Sequence, residues 1–134
     1  MLRYFYYWDD VMKNILVIFI ALFISGCVAR PTMIEEQNAD YGEKPSKEFY
    51  EGKIKSYQEG RLKDPMSAIY SFTEPRKGWC IFDGKVNFGW IVNYTLNAKN
   101  SYGGYVGAKP EFTIIVDDIS WHMPYNLKSN CSYQ

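Results

Sequence analysis

Histidine is almost absent from this chain of 134 residues, which has one histidine, three cysteines and no net charge at pH 7. A single histidine leaves few ways to build a metal centre or to activate a nucleophile. The sequence contains no Gly-x-Ser-x-Gly, His-Glu-x-x-His, phosphate-binding loop or Cys-x-x-Cys motif. Balanced charge also removes the basic surface that nucleic-acid binding requires. These absences disfavour the common enzyme classes and a nucleic-acid-binding role.

The apolar run over residues 15–24 is only ten residues long, whereas a membrane-spanning helix needs about 20. Ten residues match the apolar core of a secretory signal. The run ends in Ile24, Ser25, Gly26 and Cys27, which resembles the bacterial lipobox of a branched apolar residue, two small residues and cysteine. The resemblance implies cleavage before Cys27 and acylation of its sulfur and new amino group. An uncleaved anchor, or a buried helix with an incidental cysteine, is the alternative.

The residues before this run are unusual for a signal peptide. Asp9 and Asp10 follow an aromatic stretch, and Lys13 supplies the expected positive charge just before the apolar core. We therefore predict a signal peptide over residues 1–26, with Met12 as an alternative translation start. The 108 residues that remain carry no net charge, so lipid rather than a basic patch would attach them to a membrane.

The residue after the predicted lipidation site bears on the membrane in which the protein resides. Enteric lipoproteins that stay in the inner membrane carry aspartate at the second mature position, where this chain has Val28. That resemblance implies a lipid-anchored protein of the cell envelope on the periplasmic face of the outer membrane.

Two cysteines remain once Cys27 is assigned to lipid. Cys80 and Cys131 form one matched pair in an oxidising compartment, which predicts a disulfide bond. The alternative is two separate thiols, with Cys80 buried and Cys131 free near the C-terminus.

The organisation of the rest predicts a flexible tether over residues 27–45 and one small domain over residues 46–134. Ser46 is a suitable N-cap, and Tyr50, Ile54 and Tyr57 form one apolar helical stripe that ends near Gly60. We expect that stripe to pack on the domain's own sheet, although a partner-binding face is the alternative.

Four strands are predicted after the helix. A short strand covers residues 69–72, and Asp83-Gly84 between apolar runs predicts a hairpin. Residues 86–98 alternate between core and polar positions, and another strand is expected over 105–117. Residues 118–134 show little pattern. The fold class is therefore α+β, with one helix packed on an antiparallel sheet of about four strands.

Two phrases of the sequence stand out together, residues 62–70, Leu-Lys-Asp-Pro-Met-Ser-Ala-Ile-Tyr, and residues 97–107, Asn-Ala-Lys-Asn-Ser-Tyr-Gly-Gly-Tyr-Val-Gly. The pair resembles a group of small, mostly uncharacterised bacterial lipoproteins and secreted proteins. The likeness covers residues 60–116 and implies an envelope lipoprotein, with no catalytic residues to transfer.

Candidate chemistry is sparse. His122 could act as a base or metal ligand, but a lone histidine beside Trp121 is more often structural. Asp117 and Asp118 lack the spaced oxygen ligands of a cation site and are expected to end a strand. We predict no catalytic residues, no metal site and no cofactor.

The best candidate binding surface is the glycine-rich turn after the clearest strand. Tyrosines on such a turn give rigid, amphipathic contact area, and neighbouring Asn and Lys side chains can hydrogen-bond a glycan or peptide. The alternative is that the glycines only supply positive φ and the tyrosines only pack on the helix. The predicted surface residues are Asn97, Lys99, Asn100, Tyr102, Gly103, Gly104 and Tyr105.

Two functions follow from these observations. The first is a non-catalytic, membrane-anchored interaction or accessory module, whose partners are the membrane, through its lipid, and an unknown envelope protein or cell-wall component. The second is a ligand-binding or cell-wall-hydrolase-inhibiting lipoprotein.

Overall fold

The computed structural model describes residues 29–134, so the predicted signal peptide and Cys27 lie outside the described residues. Helices α1 and α2 precede six strands, β1 to β6, and a 3₁₀ helix lies before β1 and another before β6. Their bounds are Met33–Asn38 and Lys47–Glu59 for the α-helices, Pro65–Ser67 and Tyr125–Asn130 for the 3₁₀ helices, and Ile69–Phe72, Arg76–Phe82, Lys85–Asn97, Lys109–Val116, Ile119–Met123 and Cys131–Tyr133 for the strands. Within residues 29–134, no helix has the length and apolar character needed to cross a membrane.

The α+β class is confirmed, but the expected counts of one helix and four strands are wrong, because the described residues form two α-helices and six strands. One six-stranded sheet runs in the order β5-β4-β3-β2-β6, and β1 pairs with the C-terminal half of β3. Every pair is antiparallel. The two additional strands, β5 and β6, come from the C-terminal segment that showed little sequence pattern.

The predicted hairpin at Asp83-Gly84 is confirmed. Both residues have positive φ, 51° and 70°, as a type I′ turn requires, and they join β2 to β3. A corresponding turn at Asp117-Asp118, with φ of 48° and 63°, joins β4 to β5. The aspartates do end a strand as expected, but the chain returns at once as β5.

Helix α2 covers one face of the sheet, which confirms the packing expected for its apolar stripe. Ser46 caps the helix by accepting from the Phe49 amide at 3.2 Å, and Gly60 is its C-cap. The helix buries Tyr50 and Ile54 in a core shared with two strands, β3 and β4. The β-strand members of that core are Val92, Tyr94, Leu96 and Ile115.

The opposite face of the sheet carries a second core, which the alternating pattern did not predict. Ile91, 1% exposed, packs there with Phe112, Ile114 and Cys80. The first half of β3 therefore buries odd-numbered positions, including Asn87 and Gly89, where a polar face was expected. At Gly89 an added Cβ would lie 2.1 Å from the Ile115 carbonyl oxygen, so only glycine permits the close approach of β4.

The expected strand over 105–117 begins later than predicted, at Lys109. Gly107 has a φ of 92°, which extended strands do not adopt, and its amide donates to Asn97 Oδ1 at 3.1 Å. Residues 105–108 therefore belong to the loop, although Tyr105 keeps one isolated bridge to Lys99.

The flexible tether expected over residues 27–45 is not what the structure has in its described part. Thr32 and Glu35 form a capping box that starts α1, and the segment then packs on the β2–β3 hairpin. Trp79 Nε1 donates to the Glu36 carboxylate at 2.8 Å, and Trp90 Nε1 donates to the Gly42 carbonyl at 3.2 Å. The polar composition of residues 27–45 alone cannot predict these long-range contacts.

The predicted disulfide between Cys80 and Cys131 is present, and it joins residues directly opposite each other in β2 and β6. Their Cα atoms are 4.1 Å apart, and 51 residues separate them in sequence. Strand β6 is only three residues long, so this bond fixes the C-terminal segment that covers the second core.

Removing the disulfide should substantially lower stability. In the chain-entropy model, closing a loop of this length stabilises the folded protein by about 4 kcal/mol. The free energy of unfolding of the Cys80→Ala/Cys131→Ala variant should therefore be lower by about that amount. Urea unfolding measures the change, and Ser132→Ala, at an exposed β6 position, is the matched control. A loss below about 1 kcal/mol, or two free thiols in the denatured non-reduced protein, would contradict the prediction.

Candidate functional site

The two phrases singled out in the sequence lie side by side in the fold. Ile69 pairs with Asn97 and Tyr70 with Leu96, because β1 is antiparallel to β3. Ser67 extends the contact, since its Oγ accepts from the Lys99 amide at 3.1 Å. The 3₁₀ helix and the glycine-rich loop are therefore parts of one surface at the C-terminal end of β3.

Asn100 organises the glycine-rich loop, which we call the tyrosine loop and define as residues 97–105. Its Oδ1 accepts from the amides of Tyr102 at 2.9 Å and Gly104 at 3.1 Å. Its own amide donates to the Gly104 carbonyl at 2.9 Å. Gly103 supplies the one positive φ of this turn, 80°. These bonds specify a definite loop conformation without help from a hydrophobic core.

The two loop tyrosines have different environments. Tyr102 is 96% exposed, so its ring contacts almost nothing in the folded chain. Tyr105 is 49% exposed, and its hydroxyl donates to the Ser67 carbonyl at 3.1 Å. The Lys99 ammonium also lies 5.6 Å from the centre of the Tyr105 ring. Tyr105 therefore anchors the loop, whereas Tyr102 is presented to solvent, and neither packs on α2 in the way the alternative reading expected.

Several neighbours of the loop are exposed apolar side chains that residue-by-residue analysis missed. Met66, in the adjoining 3₁₀ helix, is 96% exposed, and Val106, just after the loop, is 52% exposed. Asn97 and Lys99 are half-buried, so they support the loop backbone rather than projecting into solvent. The full exposed apolar set on these segments is Met66, Ile69, Tyr102, Tyr105 and Val106.

A second candidate site surrounds His122, which α2, β4 and β5 bring to a pocket of about 350 Å³. The imidazole stacks on Tyr57 with ring centres 3.7 Å apart, and Arg61 hydrogen-bonds the Tyr57 hydroxyl. The spacing of four residues between Tyr57, in the last turn of α2, and Arg61, just after its C-cap, was the only sequence signal for this site. The pocket-lining residues are Tyr57, Arg61, Tyr94, Glu111, Phe112, His122, Met123, Pro124 and Tyr125.

Buried polar side chains lie next to His122 and Tyr94. Thr113 Oγ1 lies 2.8 Å from His122 Nδ1, and Gln58 Nε2 donates to the Tyr94 hydroxyl at 2.9 Å. Burial raises the pKa of Tyr94 to about 12, although hydrogen bonds from Gln58 and Thr113 act in the opposite direction. Tyr94 therefore stays a neutral phenol at physiological pH.

Burial also lowers the pKa of His122 from its ordinary 6.5 to about 4, with the Arg61 charge acting in the same direction. The imidazole is neutral at pH 7 and can accept a proton only in acid. Thr113, its hydrogen-bonded neighbour, is 0% exposed and cannot reach a substrate as a nucleophile. The pocket can stack or hydrogen-bond a small molecule, and it presents one cation and one carboxylate, Arg61 and Glu111.

Over residues 29–134, no three histidine, cysteine, aspartate or glutamate side chains are grouped closely enough to hold a metal ion. Asp117 and Asp118 instead occupy the β4–β5 turn.

Comparison with known proteins identifies no family for this chain. The chain matches no family profile, no curated protein and no solved structure. The likeness to small envelope lipoproteins therefore remains a prediction from the two sequence phrases, and function must be argued from the geometry.

The depressed pKa of His122 predicts acid sensitivity. Between pH 6.5 and about 4 the unfolded chain binds a proton that the folded chain does not, so the free energy of unfolding falls as the pH is lowered through this window. Urea unfolding from pH 7 to about 5, above most carboxylate titrations, isolates the effect. His122→Gln should remove this part of the pH dependence. An NMR titration giving His122 a pKa near its ordinary value would contradict the prediction.

Proposed function

We propose that the protein is a membrane-anchored bacterial envelope lipoprotein that has no catalytic role and binds a protein partner through the tyrosine loop. The observation that carries the proposal is the combination of rigidity and exposure in that loop. Asn100 and Ser67 hold the backbone, while Tyr102 remains 96% exposed. A tyrosine on a fixed backbone has only its few side-chain torsions to immobilise, so burying its ring against a partner costs little conformational entropy.

The neighbours of the loop favour a protein over a free small molecule as the partner. Met66, Ile69 and Val106 add exposed apolar area around the loop tyrosines. Protein interfaces are enriched in aromatic residues and methionine at their centres, and clustered exposed apolar groups mark such surfaces.

Anchoring is the second element of the proposal, and it is supported by residues 15–27. The ten-residue apolar run and the lipobox-like sequence ending at Cys27 favour processing and acylation in the envelope. Val28 after the cysteine favours the periplasmic face of the outer membrane. The Cys80–Cys131 disulfide suits an oxidising compartment of this kind.

The isolation of Tyr102 also suits the second candidate function, a ligand-binding or cell-wall-hydrolase-inhibiting lipoprotein. A single projecting ring can enter the cleft of an enzyme or stack on a sugar. The identity of the captured species separates the two functions, since a hydrolase or a glycan fragment favours the second and a membrane or envelope assembly protein favours the first.

Tyr102→Ala should weaken partner capture without changing stability. Loss of a central interface tyrosine weakens binding by about 1–2 kcal/mol or more, while the free protein loses almost no contacts. Crosslinking in intact cells followed by purification measures capture, and thermal unfolding measures stability. Ile119→Ala is the control, because Ile119 is 58% exposed and lies at the other end of β4 from the loop. Equal capture by both variants would refute the proposed surface.

Cys27→Ser should abolish incorporation of a fatty-acid analogue and leave the unprocessed precursor, because the acylated sulfur is gone. Labelling and gel mobility of the full chain in the producing cells provide the measurement. Ser132→Ala, at an exposed β6 position that leaves the disulfide intact, is the control and should still be labelled. Normal labelling of Cys27→Ser would remove the basis for anchoring at this residue.

A further inference from the structure

Helix α1 has an unusual division between its acidic and apolar side chains. The Glu35 carboxylate accepts from the Thr32 amide at 2.7 Å and the Thr32 hydroxyl at 2.8 Å. The Glu36 carboxylate turns to the sheet and accepts from Trp79. The Glu36 charge is thus directed to the sheet and the Glu35 charge is held at the exposed N-terminus of the helix, while Met33 and Ile34 are 77% and 71% exposed.

The helix is fixed to the domain, so its exposed residues have a definite direction. Glu36 and Ile34 are two positions apart, which places their side chains on nearly opposite sides of a helix with 3.6 residues per turn. Because Glu36 contacts the sheet through Trp79, Ile34 points away from it. Tyr41, 8% exposed, reinforces this arrangement by donating to the Glu36 carbonyl at 2.8 Å and packing edge-on against Phe88.

The short distance along the chain between the predicted lipid at Cys27 and α1 indicates that a membrane covers these side chains. Cys27 precedes Met33 by six residues, and six residues span at most about 20 Å when fully extended. An acyl chain inserted at Cys27 therefore confines α1 to the neighbourhood of the headgroups. Exposed apolar side chains on a helix at that depth enter the boundary between headgroups and acyl chains.

We propose that α1 is a membrane-contact element, in which Met33 and Ile34 insert into the lipid surface beside the acylated Cys27. This inference rests on the proposed anchoring and adds an orientation to it. The anchored domain lies against the membrane through α1 rather than moving freely on a tether. The occupant of the surface is a lipid bilayer, and Met33 and Ile34 make the contact, because the Glu36 carboxylate turns to Trp79 and the Glu35 carboxylate is held by Thr32 at the N-terminus of the helix.

Site-directed spin labelling of the processed, lipid-anchored protein in phosphatidylcholine vesicles tests the inference. A nitroxide is attached at Ile34→Cys or Met33→Cys, while Cys80 and Cys131 are protected as the disulfide. Both labels should lose most of their collisions with a water-soluble nickel chelate and gain collisions with oxygen, which concentrates in lipid. Tyr102→Cys is the control and should collide freely with the chelate, since that position is 96% exposed at the far end of β3.

The outcomes distinguish this inference from the proposed anchoring on which it depends. Mass spectrometry of the same sample reports whether Cys27 carries acyl chains. An acylated protein whose labels at positions 33 and 34 meet the chelate as freely as the label at position 102 overturns the membrane contact and leaves the anchor intact. A protein without acyl chains overturns both.

Discussion

Strand β3 pairs with β1 and β2 along one edge and with β4 along the other, so the positions of four strands depend on one backbone. Its consecutive residues Ile91 and Val92 are 1% and 0% exposed, and consecutive strand residues point to opposite faces of a sheet. Both faces must therefore be covered at the middle of this strand. Helix α2 covers one of them, and the C-terminal segment, fixed by the Cys80–Cys131 bond, covers the other. Removing either layer would expose one side of the same strand to water.

The parts of this fold that local chemistry specifies were predictable from the sequence. The Asp83-Gly84 turn, the Ser46 cap and the stripe of α2 each depend on residues within one or two turns of chain. The parts that depend on distant partners were not. Residues 29–45 look like a polar linker until Trp79 and Trp90 provide hydrogen-bond donors for Glu36 and Gly42. Strand β5 did carry a signal, since Ile119, Trp121 and Met123 alternate with Ser120 and His122 after an Asp-Asp turn.

The candidate sites divide in the same way. Tyrosines on a glycine-rich turn predicted the residues of the tyrosine loop, but their separate roles depend on the fold. Only the fold shows that Tyr105 is held by Ser67, 38 positions earlier, while Tyr102 is left free of contacts. The His122 site was not predictable, because Tyr57 and His122 stack across 65 residues and a lone histidine gives no spacing to interpret. Its neutral state follows from burial, which is a property of the assembled sheet and helix.

The length of β3 connects the two proposed surfaces. The segment after α1 contacts Phe88 through Tyr41 and Trp90 through Gly42 near the beginning of the strand, whereas the tyrosine loop begins at its last residue, Asn97. Nine residues of extended chain between Phe88 and Asn97 correspond to roughly 30 Å. The two proposed surfaces are therefore separated along the strand, so a lipid surface on α1 and a partner on the tyrosine loop do not compete for the same residues. A flexible tether would let the domain present any side to a partner, whereas the proposed contact of α1 with lipid would give the domain, and with it the tyrosine loop, one orientation at the membrane.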